Sequence, residues 1–185
     1  KPRVDELSEV NLRDEDRENP QVQQRWNAKK SLEKADMRMG NATGLASEIL
    51  EKHKPATRTI VVVNTVHRAC ELFDALNRLT GGGKGRAGGK KSSLSQSAMP
   101  YCPKVVLIHS RFRPADRKAR VLELLCDPPP EGIICVSTQV VEAGVDVSAR
   151  ALFTELAPWA SLVQRFGRCN RRGEYKDAYV CWIDL

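Results

Sequence analysis

Residues 59–64 (TIVVVN) form an unbroken aliphatic run closed by Asn64. Such a run suits a strand buried on both faces of a sheet, because alternation is needed only when one face meets water. Further strands are predicted at 104–109, 132–137, 151–156 and 178–183. Between them the apolar period becomes helical. Ala69, Leu72, Phe73, Leu76 and Leu79 share a face in 66–79, Val121, Leu122 and Leu125 do so in 115–125, and 161–168 is a shorter third helix. A further helix carries Leu45, Ala46, Ile49 and Leu50 and is closed by Pro55. Strands alternating with helices predict an α/β fold, a mostly parallel sheet covered on both faces and joined by right-handed crossovers.

Two stretches break this pattern. Residues 1–44 are charged and poor in aliphatics, and read as a linker or N-terminal extension. Within them 13–18 (RDEDRE) reads as a solvated helix or linker, with Trp26 as the one large apolar anchor. Residues 81–103 are rich in Gly, Ser and Lys and cannot bury enough surface to order themselves, so they read as a flexible insertion in a 45–185 lobe. This insertion is not a Walker A loop. That loop needs Gly-x4-Gly-Lys-Ser/Thr, and here Lys84 stands at the first position and Lys91 at the last. A basic loop near nucleic acid and a plain surface loop both remain open.

The chain's 185 residues suit one domain. A net charge of +7 favours an anionic partner. The six cysteines contain no Cys-x-x-Cys pair, so local spacing supports no zinc site. Cys70, Cys126 and Cys135 fall in or beside predicted elements and read as buried free thiols in a reducing cytoplasm. No run approaches the ~20 apolar residues a membrane helix needs, and the charged first residues lack the apolar stretch of a secretory signal.

A parallel sheet presents its functional groups at the carboxyl ends of its strands. There this sequence places Asn64 and Thr65, then His109, Ser110 and Arg111, then Thr138, Gln139, Glu142, Gly144 and Asp146. Beyond the strand at 151–156 comes Gln164-x-x-Gly167-Arg168-x-x-Arg171. On helical geometry, arginines three apart point to one side. Two converging guanidinium groups are costly unless an anion lies between them, and a triphosphate is such an anion. Arginine's planar fork donates two hydrogen bonds to phosphate oxygens and can stabilise charge developing on a γ-phosphate. Gly167 would let the backbone pack closely. The rival reading is a solvated basic helix end, with one arginine tied to Asp146.

These segments resemble motifs four, five and six of superfamily-two helicases. More narrowly, VVVNTVHRACELFDAL, IHSRFRPADR and VSTQVVEAGVDVSARALFTELAPWASLVQRFGRCNRRGE resemble the helicase–nuclease of type I CRISPR systems, across about residues 59–174. The resemblance implies a three-layer RecA-like lobe without its own Walker A loop. It implies the second motor lobe of an ATP-dependent DNA helicase, with ATP and Mg2+ held mainly by a first lobe outside this chain. Arg168 and Arg171 match arginine fingers, while Gly144, Asp146 and Gln164 lie at the nucleotide. Asn64, Thr65, His109, Ser110, Arg111, Thr138 and Gln139 would touch single-stranded DNA through its backbone.

The implied partners are the N-terminal RecA-like lobe, a nuclease domain and a CRISPR surveillance complex, with no membrane. By itself this piece should hydrolyse no ATP. Local alternatives stay open: Asn64 as a cap for the following helix, and Asp146 as a turn residue paired with an arginine. Glu142 reads as structural rather than catalytic, and His53 and His67 read as solvent-facing. A lobe of another superfamily-two RNA or DNA helicase, or a nucleic-acid-binding module without motor activity, is the competing reading.

Overall fold

Each predicted run of aliphatics becomes a strand of one parallel sheet. The computed structural model describes residues 13–81 and 101–184. The short exposed helices α1 (Asp14–Glu18) and α2 (Pro20–Trp26) lead into β1 (Ser31–Lys34) and α3 (Ala42–Lys52). Then follow β2 (Arg58–Val62), α4 (Val66–Leu79), β3 (Lys104–Ile108), α5 (Pro114–Leu125) and β4 (Ile133–Ser137). A 3-10 turn (Gln139–Val141), β5 (Ala151–Glu155), α6 (Trp159–Phe166) and β6 (Tyr179–Ile183) complete the order. The sheet order is β1-β6-β5-β2-β4-β3, and every pairing is parallel. This is the three-layer α/β arrangement expected of a RecA-like lobe.

The central strands β2, β4 and β5 are buried along their whole length because both faces of the sheet are covered. Val61 and Val63 pack with Leu45, Ile49, Leu72 and Leu76 of α3 and α4. Their neighbours Ile60 and Val62 pack the other way, with Leu124 of α5 and with Val141, Val145 and Val147. Arg58, at the start of β2, is buried and closes the end of α5: its Nε donates to Leu124 O (2.9 Å) and an Nη to Cys126 O (2.5 Å). Those carbonyls are the ones a helix leaves unsatisfied at its C-terminus.

Several expectations are corrected. The stretch read as a linker contains a sixth strand, β1, paired with β6 from Ser31↔Tyr179 to Lys34↔Trp182. An edge strand with no aliphatic run carries no sequence signal. The residues at 13–18 do form an exposed helix, but Trp26 anchors nothing and is 77% exposed. In α5 it is Leu124 that is buried, with Val121 packed beside it, while Leu122 and Leu125 are exposed.

His53 is buried, not solvent-facing. Its Nδ1 lies 2.8 Å from Thr59 Oγ1, and burial lowers its pKa to about 4. His67 is exposed as expected and faces Glu71. All six cysteines are free thiols. Cys135, Cys169 and Cys181 are buried and Cys70 is half-buried, but Cys126 is exposed because it sits just past the end of α5. The insertion expected at 81–103 lies mostly outside the described residues.

Candidate functional site

The order of strands puts β2 between β4 and β5, with later strands added on both sides. The crevice at the carboxyl ends of these strands is where such sheets bind ligands. The residues singled out from the sequence gather here, and a buried polar network holds them.

Arg165, on α6, is the centre of that network and is only 1% exposed. Its Nε donates to Glu142 Oε1 (2.8 Å), and its Nη atoms donate to Thr154 Oγ1 (3.1 Å), Glu155 O (3.0 Å) and Asn64 Oδ1 (3.0 Å). Glu155 closes β5 with a fully buried carboxylate, which pairs with Arg68 of α4 and accepts from Asn64 N (2.8 Å). Asn64 Nδ2 donates to Leu156 O (2.7 Å). One chain of bonds therefore ties α4, β5, α6 and the turn after β4 together. A buried arginine is costly unless its donors are satisfied in this way.

This network settles some local alternatives. Both ends of the Asn64 side chain bind protein, and the cap of α4 is Thr65, whose Oγ1 accepts from Arg68 N (3.3 Å). Glu142 is structural, as read from the sequence, since it anchors Arg165. Sequence reasoning does not single out Arg165, Glu155 or Arg68. The signal available was Glu155 itself, because a strand buried throughout can end in a carboxylate only if a cation meets it.

The arginine segment departs from the expected geometry. α6 stops at Phe166, and Asn170 takes a left-handed φ of 49°, so Arg168 and Arg171 lie on a turn rather than on one helix face. They are nevertheless neighbours: burial first, then the charge of Arg171, lowers the pKa of Arg168. Arg168 donates an Nη proton to Glu142 O (2.6 Å), while its buried Nε has no partner among the described residues. Arg171 Nε donates to Asp146 Oδ1 (2.7 Å).

Gly167 does not serve close packing. A Cβ there would make only ordinary contacts with its own helix. Gly144 is the glycine the turn requires, with a φ of +76° that other residues rarely adopt. Gln164 is exposed on α6.

Along the same edge, Thr65, Ser110, Arg111 and Gln139 are exposed, and Thr138 is buried. Gln139 lies beside Asn64, its Nε2 3.5 Å from Asn64 O. The His109 ring stacks on Phe112 at 4.2 Å, and its buried Nδ1 has no partner among the described residues. Burial and nearby Arg111 lower its pKa, which keeps the ring neutral at neutral pH. The edge thus offers exposed hydroxyl, amide and guanidinium groups beside two buried nitrogens that lack partners among the described residues. The residues fit an anion at Arg168 and Arg171. Among the described residues no cluster of three or more His, Cys, Asp or Glu side chains could hold a metal ion. None of the described helices is long and apolar enough to cross a membrane.

The chain resembles known proteins both in sequence and in fold. Residues 55–174 match the family described as CRISPR-associated nuclease/helicase Cas3, C-terminal. The chain is 32% identical over 138 residues to the CRISPR-associated helicase Cas3 of Thermoproteus tenax, covering 74% of this chain and 20% of that protein. It is 42% identical over 74 residues to the Haloferax volcanii CRISPR-associated nuclease/helicase Cas3, covering 38% of this chain and 8% of that one. The chain therefore spans a fifth or less of these relatives.

Among solved structures, T. fusca Cas3 with ADP superposes with a TM-score of 0.63 at 22% identity, over 83% of this chain and 18% of that one. The C-terminal domain of the DEAD-box protein Dbp5 gives 0.53 at 14% identity, over 86% and 78%. At these identities the likeness is one of fold. The chain belongs to the CRISPR-associated nuclease/helicase Cas3 family, of which it forms the C-terminal, RecA-like superfamily-two helicase lobe.

Proposed function

We propose that this lobe is the second half of an ATP-driven DNA motor, presenting Arg168 and Arg171 to the nucleotide and a polar strand-end track to single-stranded DNA. The observation that carries this reading is Arg168. Its guanidinium is buried beside a second arginine, and its Nε lacks a partner among the described residues. A buried donor left unmade costs about 1–3 kcal/mol, and a γ-phosphate oxygen arriving at the cleft would satisfy it. When bound, ATP with Mg2+ would supply the phosphoryl group whose transfer drives the motor, with both held mainly by the first lobe. Arg168 and Arg171 neutralise charge that builds on the phosphoryl oxygens, Asp146 and Gln164 flank them, and Gly144 shapes the turn that carries Asp146.

For the strand, the exposed Thr65, Ser110, Arg111 and Gln139 offer donors to phosphates, which position a strand without reading its sequence, whereas Thr138 is buried and offers none at the surface. His109 contributes a neutral acceptor or donor at the same edge. Asn64 holds the track in place through the Arg165 network instead of contacting DNA. The partners of this reading are the N-terminal RecA-like lobe, a nuclease domain, single-stranded DNA and a CRISPR surveillance complex, and the isolated lobe hydrolyses no ATP.

The test is Arg168→Lys in the full-length protein. An ammonium lacks the fork that reaches two oxygens. DNA-dependent kcat should fall by about 10²-fold or more with ATP KM and melting temperature nearly unchanged. Normal turnover, or a loss accounted for by unfolding, would refute the reading.

A further inference from the structure

The turn that carries Arg168 is held from behind by residues far away in sequence. Lys30 Nζ donates to Phe166 O and to Cys169 O, both at 2.7 Å. These two carbonyls bracket Arg168. Phe166 is the last residue of α6, where helix carbonyls lack intrahelical partners and the helix dipole is negative. An ammonium is the complementary group there.

The neighbouring contacts follow the same path. Asn170 Nδ2 donates to Lys29 O (2.8 Å). The Gln24 carbonyl occupies the space that a Cβ on Gly173 would need. Directly after Lys30, β1 pairs with β6. The segment from α2 to β1 therefore runs along the back of residues 166–173, while Arg168 and Arg171 occupy the front. Cys169 is buried behind the turn and Ala149 N bonds to Arg168 O (2.9 Å), so the backbone there has little room to drift unless this support is removed.

We infer that Lys30 is a positioning residue for Arg168, fixing the turn from behind so that the guanidinium is presented at one place in the cleft. The inference rests on the reading of Arg168 as a finger. Lys30 touches no reacting atom. It acts by joining residue 166 to residue 169, so its removal lets the arginine wander without deleting it. A misplacement of about 1 Å at a reacting centre can cost on the order of 10²-fold in rate, and partial loosening costs less.

The test uses the full-length protein with Lys30→Gln, Lys30→Arg and Arg168→Lys in parallel. DNA-dependent ATP turnover, ATP KM, melting temperature and the Kd of ADP and of ADP–aluminium fluoride are measured for each. Lys30→Gln should lower kcat about tenfold and weaken ADP–aluminium fluoride by a similar factor, while ADP affinity, ATP KM and melting temperature stay near wild type. Lys30→Arg, which keeps a cation able to reach both carbonyls, should recover most of the loss. Normal kcat in Lys30→Gln beside a crippled Arg168→Lys would overturn this inference alone. Normal kcat in both would overturn the finger reading itself. A loss that tracks melting temperature, or that weakens ADP equally, would reduce Lys30 to a stability element and also overturn the inference.

Discussion

Arg171 is held by Asp146: Nε to Oδ1 is 2.7 Å, and Arg172 approaches the other carboxylate oxygen at 3.9 Å. Both partners are largely exposed, at 47% and 68% of their side chains. An exposed pair of this kind contributes at most about 1 kcal/mol, so a triphosphate can displace it. In the full-length protein Asp146→Asn should therefore leave the melting temperature within about 2 °C of wild type. Arg171→Lys should lower kcat by about 10²-fold. Thermal melting and steady-state ATP turnover check both. A large loss of stability in Asp146→Asn would mean that the pair is structural.

Arg165 should matter for stability more than any other polar residue at this edge. Removing one member of a buried, bonded pair costs about 3–5 kcal/mol because its partner stays buried and unpaired. In Arg165→Met, Glu142 is left without its cation, and Asn64 and Thr154 each lose a donor. The melting temperature should fall by about 10 °C. Asn64→Ala should destabilise in the same direction by less. Calorimetry on the two variants decides it, and an unchanged Arg165→Met would show the network to be dispensable.

The strand track makes a prediction about sequence and salt. Arg111→Ala and Gln139→Ala should weaken single-strand binding by the full-length protein equally for all base sequences, since backbone contacts carry no sequence information. Arg111→Ala should also reduce the slope of log affinity against log salt by about 1, as expected when one cation no longer meets its phosphate. Binding titrations on homopolymeric strands at several salt concentrations measure both. Weakening confined to some sequences would contradict the backbone role.

His53 makes stability depend on pH. Its pKa is lowered from 6.5 to about 4 in the fold, chiefly by burial. Above pH 6.5 the ring is neutral in both folded and unfolded chains, and it contributes no pH dependence. As pH falls from 6.5 towards 4 the unfolded chain takes up the proton first, so stability is lost over that window. The full loss is about 3 kcal/mol. Urea unfolding at pH 7, 6, 5 and 4 should show this fall, and His53→Gln should lack that component. Equal pH slopes for the two proteins would disprove it.

The sequence by itself determined the parallel α/β architecture and the edge where the site lies. Five predominantly apolar runs stand out because both faces of those strands are covered, and that fact is local and visible. The placement of Asn64, Thr138, Asp146 and Arg168 at strand ends follows from the same pattern, because a parallel sheet collects its loops on one side. What each side chain does there was decided only by tertiary structure. Arg165 and Arg168 are three residues apart, yet one is consumed in holding α6 to β5 and the other keeps a donor unpaired among the described residues. Asn64 is turned inward by Arg165, 101 residues away. His53 is buried because Thr59 and the Glu131 carbonyl enclose it. β1 and Lys30 have no periodicity of their own, and they find their places through a sheet edge and a helix end that exist only after the rest has folded. Periodicity reports which face of an element is covered. Partnership between charges depends on distances that only the closed fold sets.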